Sequence, residues 1–469
     1  MSSTTAGSAP PVIPSSGTAA KPAHHVWGEL PEWKPEDATF WEKTGSKIAW
    51  RTLILTTTTL ILSFSTWFVM SALVVRLPAI GFKFTTMQLF WLAAMPGLAG
   101  GTLRIVHTFL IPLLGTRMVV GMSTLLKIIP CVGLGLAVMT PGTPYWMFIL
   151  LAFLCGMGGG DFSSYMPSTS LFFPKRLQGT ALGLQAGIGN FGVSLTQFVT
   201  PWIIGVAAIG TVAGGSQLLK KGGVVKEVWL QNAAFWYVPL LIILGVMCLV
   251  WLRSVPVKAS FREQLDIFKN KHTWFCTMTY VMTFGSFAGF SAAFPLLIKT
   301  TYGRFPGAPD PLKYAFYGPL IGSASRIIFG FVADKTGGAI LTQLAGLGMT
   351  VLCGVLVFGG FLTPTSMDQF QIFVACMLGI FFFAGVGNAG TFRQYPIIFS
   401  HSPRQGAGVL GWTGAVAAYG PFAFSMLVGS AITNTGSAKP FFIGVAVFYL
   451  IAVAVNWWFY RRTGCERPS

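Results

Sequence analysis

The sequence predicts an all-α polytopic membrane protein, with twelve transmembrane helices in two pseudo-symmetric six-helix halves. Three observations carry that prediction. Hydrophobic residues make up 53% of the 469 and charged residues only 9%, where a soluble globular chain carries roughly a quarter charged. Apolar runs of about twenty residues, the length that spans a bilayer as a helix, recur along nearly the whole chain. The second half of the sequence also weakly repeats the first. A transmembrane barrel is excluded by run length, because its strands need only about ten alternating residues.

The spans fall at 52–75, 87–110, 117–139, 145–171, 179–207, 232–252, 273–298, 314–333, 339–362, 369–396, 406–432 and 440–460. Residues 1–48 differ in kind, opening Ser/Thr/Ala/Pro-rich and continuing as the Trp-containing WGELPEWKPEDATFWEKTGSKIAW. No apolar core of signal-peptide length precedes Arg51, so no cleavage is expected. The organisation read from this is a tail and surface segment (1–48), a first half (49–252), a basic connecting loop (253–271), a second half (272–462) and a short tail (463–469).

The formal charge of +18 reads as topology, not as nucleic-acid binding. Eighteen of the 31 Lys and Arg side chains fall on the side of the N-terminus, nine on the other and four (Arg104, Lys127, Arg326 and Arg393) within spans. This is the positive-inside bias, which places both termini in the cytoplasm. The seven cysteines are scattered without paired spacing and read as small buried hydrophobes. No metal-ligand cluster, nucleotide-binding loop or catalytic constellation is found, so neither a cofactor nor an enzymatic activity is expected.

The repeat is clearest between GGGDFSSYMPSTSLFFPKRLQGTALG (158–183) and GVGNAGTFRQYPIIFSHSPRQGAGVLG (385–411). An offset of 227 pairs Gly160 with Gly387, Phe172 with Phe399 and Gly187 with Gly414, and Arg104 pairs with Arg326 at 222. Two six-helix halves joined by a long loop are the plan of a carrier that rocks about a midplane site. An arginine at mid-membrane depth costs at least ~2.5 kcal/mol and normally faces a cavity or a partner. Two of them in matching places point to one central site for a small anion. The competing reading, pairing with acids or helix ends, is limited by the scarcity of acids within spans. The spacing of Gly183, Gly187, Gly189 and Gly192 allows close helix approach, either as a sliding hinge or as static packing.

Gly330, Asp334, Gly337 and Gly338 in GFVADKTGG resemble the loop motif of the major facilitator superfamily; HTFLIPLLGTR (107–117) is its first-half counterpart and lacks the aspartate. Five stretches together resemble the bacterial nitrate/nitrite porter family: WKPEDATFWEKTGSKIAWRTL, GTLRIVHTFLIPLLGTR, SLFFPKRLQGTALGLQAGIGNFGVSLTQ, TFGSFAGFSAAF and GPLIGSASR. The resemblance implies that Arg104 and Arg326 bind nitrate, with Asn190, Tyr280, Phe162 and Phe284 in the same site. Without it, those aromatic residues would read as packing. Nitrate is planar and presents oxygen pairs that match a guanidinium fork.

Four residues in three helices depart from the family pattern: Tyr419 and Pro421 in the eleventh, Asp161 in the fourth and Arg393 in the tenth. Two unpaired charges in spans are costly, so Asp161 and Arg393 are expected to neutralise each other as a gate. A paired carboxylate makes a poor proton carrier. The expected activity is nitrate/nitrite exchange by a monomer in the lipid bilayer, nitrate entering and nitrite leaving. The alternatives are proton-coupled nitrate symport through Asp161 and, more remotely, a non-transporting sensor.

Overall fold

The computed structural model describes residues 28–207, 214–221, 224–255 and 262–469. Twelve long helices occupy the twelve apolar stretches. The first is α1, Ser46–Leu73. A run from Thr86 to Leu126 breaks at Gly115 into α2 (86–114) and α3, which resumes after Lys127 and reaches residue 139. Then come α4 Tyr145–Phe172, α5 Lys175–Ile203, α6 Asn232–Trp251, α7 Lys271–Tyr302, α8 Leu312–Thr336 and α9 Gly338–Phe358. The last three are α10 Phe370–Ile398, α11 Gly408–Thr435 and α12 Lys439–Arg461.

Eleven helices among the described residues are long and apolar enough to cross a membrane. The exception is α5, whose buried positions include Gln185, Asn190, Ser194, Thr196, Gln197 and Thr200 among glycines, two alanines and a valine. Its polar face is turned inward.

Successive spans alternate in direction, so both described ends of the chain lie on one face, here called terminal, opposite a distal face. The distal face carries a hairpin of β1 (Gln217–Lys221) and β2 (Val224–Val228) between α5 and α6.

The repeat is visible in backbone geometry. Gly115 between α2 and α3 has φ 73°, ψ 162°, and Gly337 between α8 and α9 has φ 90°, ψ 149°. Only glycine enters this region without strain, and the two lie at the same offset of 222 as the paired arginines.

The tails also act alike. Trp33 Nε1 donates to the Leu171 carbonyl at 3.0 Å, and its ring meets Phe172 at 5.3 Å. Arg467 Nη1 donates to the Ile398 carbonyl at 2.6 Å, its guanidinium 5.9 Å from the Phe399 ring. Leu171 and Ile398 are 227 apart, so two unrelated tail segments cap the same last-turn carbonyl, which a helix cannot satisfy internally.

The halves are tied together at the distal face. Arg76 pairs with Asp310, Lys299 Nζ donates to the Val75 carbonyl at 2.6 Å, and Gln197 Nε2 to the Ser291 carbonyl at 2.8 Å. Toward the terminal face, α5 and α8 touch where Gly187 meets Ile327, whereas Gly179, Gly183 and Gly330 each face open space.

Candidate anion site

Arg104 on α2 is fully buried. Its Nε donates to the Gly159 carbonyl of α4 at 2.8 Å and its Nη1 to the Gly414 carbonyl of α11 at 2.7 Å, so one guanidinium is tied to both halves. Its Nη2 has no partner. Three rings face the charge: Phe162 at 4.7 Å, Phe284 at 5.1 Å and Trp67 at 5.4 Å. The Gly159 contact exists because α4 is interrupted at Gly156 and again at Asp161. Between those breaks, Gly158 and Gly159 let the backbone lie against Ser63 and Trp67 of α1.

Arg326 on α8 is 6% exposed, and both Nη1 and Nη2 lack partners. Beneath it lies the Phe392 ring, at 4.5 Å. Tyr280 faces both guanidiniums, its hydroxyl within reach of Arg326 but in no well-aligned hydrogen bond. A π-helical turn at Val281–Gly285 stacks its ring on Phe284 at 5.4 Å and 8°. Phe162 and Phe284, from opposite halves, lie 6.4 Å apart and near-parallel. Asn190 is buried with both amide atoms unpartnered; it sits one turn along α5 from Gly187, on the face that meets α8.

The structure thus gathers Arg104, Arg326, Tyr280, Phe162 and Phe284 around the inter-half interface and puts Asn190 on its α5 wall. Buried donors without acceptors are rare and costly. Here the two arginines, the asparagine and the tyrosine leave such groups together. The nearby acids are engaged elsewhere: Asp161 with Lys127, Asp310 with Arg76 and Asp334 with Arg393. An arrangement of this kind takes a small anion rich in acceptors.

The expected Asp161–Arg393 pair is not formed. Asp161 points into the first half, where Lys127 Nζ lies 2.5 Å from Oδ2, Ser63 Oγ donates at 2.5 Å, Ser123 donates to Oδ1 and His107 Nδ1 stands at 3.8 Å. Arg393 lies farther toward the terminal face, since at the offset of 227 the counterpart of Asp161 is Asn388, five residues earlier. Arg393 binds Asp334 at 3.2 Å, at the end of α8, with both side chains well exposed. Asp334 thereby joins the motif turn closed by Gly337.

Three of the four α5 glycines pack closely: Gly187 on Ile327, Gly189 on Leu60 and Gly192 on the backbone of Ile61. Gly183 does not, and of the motif glycines Gly330 does not. Tyr419 rests on Gly101, and its hydroxyl meets Thr102 Oγ1 at 2.9 Å. All seven cysteines are buried and free.

Phe392, Trp67 and the carbonyls of Gly159 and Gly414 were not legible in the sequence. Lys127 was within reach, as the one in-span lysine available to the in-span Asp161.

A family model described as Major Facilitator Superfamily matches residues 55–403. A probable nitrate/nitrite antiporter, NarK2 of Thermus thermophilus, is 58% identical over 449 residues, covering 96% of this chain and 99% of its own. The nitrate/nitrite transporter NarU of Escherichia coli is 37% identical, with 92% and 96% covered. Among solved structures, a bacterial homolog of the human lysosomal transporter Spinster, inward-facing and unoccupied, aligns with a TM-score of 0.65 at 16% identity. That alignment covers 87% of this chain and 96% of the homolog, and at this identity the likeness is one of fold.

Proposed function

Because the chain belongs to the nitrate/nitrite porter family of the major facilitator superfamily, we propose that it exchanges nitrate for nitrite across a bacterial inner membrane by alternating access. The observation that carries the reading is the set of buried donors without acceptors on Arg104, Arg326 and Asn190. Arg326 offers two terminal nitrogens and takes an oxygen pair of the anion bidentately. Arg104 offers only Nη2 and engages the anion from the other half. Tyr280 and Asn190 orient the ion, and the rings of Phe162 and Phe284 present flat faces that favour planar anions.

The excess of cations on the terminal face supports placing that face in the cytoplasm. Nitrate arrives from the distal side and leaves on the terminal side, and nitrite returns. Two positive charges without a counter-ion oppose reorientation of the empty carrier. A bound anion offsets part of that charge and permits the switch. The protein works as a monomer in the bilayer, without a cofactor.

Counterflow tests this in liposomes containing the pure protein. Labelled nitrate should enter vesicles preloaded with nitrite or nitrate and not those preloaded with gluconate. Equal entry into both would refute exchange.

A further inference from the structure

Buried charge in this protein is of two kinds. Arg104 and Arg326 keep unpartnered donors, whereas Lys127 and Asp161, both fully buried, are saturated. The Lys127 ammonium reaches Asp161 Oδ2 at 2.5 Å, the Ser123 carbonyl at 2.9 Å and Ser123 Oγ at 3.3 Å. Its three donors therefore meet only oxygens, as a bound metal cation would. The carboxylate in turn receives Ser63 from α1 and Ser123 from α3.

Asp161 lies between the two α4 residues that touch Arg104: the Gly159 carbonyl, which accepts from Nε, and Phe162, whose ring lies 4.7 Å from the guanidinium. The preceding run Gly158–Gly160 has no side chain with which to anchor itself. The second half supplies a neutral version of the same place. At offsets of 222 and 227, Lys127 corresponds to Met349 and Asp161 to Asn388, both fully buried.

We propose that Lys127 is a tethered counter-cation for Asp161, a positioning pair that fixes the α4 break against Arg104 and occupies the place a coupling proton or metal cation would need. The inference rests on the exchange reading and deepens it, because it gives the structural reason why the carrier cycles on anions alone. The other titratable groups facing Asp161 are His107 of α2 and Tyr165 of α4, with Arg104 acting on His107 from the far side; α1 contributes the Ser63 hydroxyl.

Three variants test the pair: Lys127→Met, Asp161→Asn and the double variant, which gives the first half the chemistry of the second. Removing one partner of a buried pair strands the other charge, so each single variant should lose at least about tenfold in exchange at neutral pH. In Lys127→Met the stranded carboxylate then depends on a cation from solution. Exchange should return with Na+, or as pH is lowered and the carboxyl itself or His107 takes a proton. Asp161→Asn should respond to neither. The double variant should return to within about threefold of wild type, with the nitrate KM raised more than kcat is lowered and no dependence on Na+ or pH.

Melting temperature provides a readout independent of flux: only Lys127→Met should be stabilised by Na+ or acid. Wild-type flux in Lys127→Met would overturn the proposal. So would a double variant no better than Asp161→Asn, a Lys127→Met protein whose flux and melting both ignore Na+ and pH, or nitrate accumulation by wild type on a proton or Na+ gradient alone. If wild type fails to exchange at all, the functional reading falls, and the Na+ and acid dependence of Lys127→Met melting still decides the role of the pair.

Discussion

Replacing each arginine by lysine should produce two different failures, because the two guanidiniums are engaged differently. Arg104 donates two charge-assisted bonds to buried carbonyls, those of Gly159 and Gly414. Such bonds are worth about 1.5–3 kcal/mol each, and one ammonium cannot take the place of both Nε and Nη1. Arg104→Lys should therefore strand at least one carbonyl, at about 2 kcal/mol, lower the melting temperature and loosen one of the arginine links between the halves. Arg326 makes no well-aligned protein hydrogen bond through Nη1 or Nη2, its polar neighbour being the Tyr280 hydroxyl. Arg326→Lys should leave the melting temperature near wild type and remove one anion contact. At about 1.5–3 kcal/mol, that raises the nitrate KM roughly 10- to 100-fold. Counterflow over a range of nitrate concentrations, with melting curves with and without nitrate, separates the two. Equal destabilisation by both substitutions, or near-normal nitrate affinity in Arg326→Lys, would refute the assignment of Arg326 as the fork that takes the anion.

Sulfate, tetrahedral and doubly charged, should not compete measurably with nitrate in counterflow, since the facing rings favour a planar ion; efficient sulfate exchange would reduce the site to a generic anion carrier. Asp310→Asn removes the charge that pairs with Arg76 across the distal face and should favour opening there. A cysteine introduced at Ser291 should then react faster with an impermeant thiol reagent added on the distal side, and unchanged labelling would show that the ion pair does not hold that face closed. Hydrogen bonds from Lys271 and His272 hold the Glu466 carboxyl below its usual range. The contribution of this clasp to the C-terminal tail is complete above the ordinary glutamate value, about 4.3, and is lost as pH falls through the lowered one. Hydrogen exchange of residues 465–469 should stay slow to below that ordinary value, and release at higher pH would contradict the clasp.

The fold was legible because bilayer spans are written in run length, and even α5 declared itself through its glycines. The two arginines were legible for a different reason: a cation in an apolar run has few physical excuses. The partners of those cations were not. Which carboxylate meets which base depends on helix rotation, and a few residues of offset carry Asp161 away from Arg393 and toward α3. Carbonyl ligands such as Gly159 and Gly414 are invisible in principle, since every residue has a carbonyl and only the break in α4 and the approach of α11 bring these two to Arg104. The equivalence of Trp33 and Arg467 could not be found by matching sequences either, because the two residues share only their donor and the carbonyl they cap.

The identity of Asp161's partner bears directly on the transport cycle. Had Asp161 paired with a site arginine, the empty cavity would carry one net positive charge, and protonating that acid would be a natural way to drive the cycle. Instead Lys127 and Asp161 cancel each other within the first half, and Arg393 and Asp334 cancel each other at the terminal edge. The cavity is left with the charges of Arg104 and Arg326 alone. Aromatic faces and two carbonyls temper these charges without neutralising them, and each uncompensated charge in a water-poor passage costs several kcal/mol. On the proposed reading, the species that crosses at least cost is therefore the one carrying an anion. Nitrate and nitrite each bring one negative charge in a flat frame, so either serves for a crossing in either direction. The return of the empty carrier is the step that two unneutralised guanidiniums oppose. Exchange follows from where the acids are placed, and moving one acid into reach of Arg104 or Arg326 should be enough to relax it.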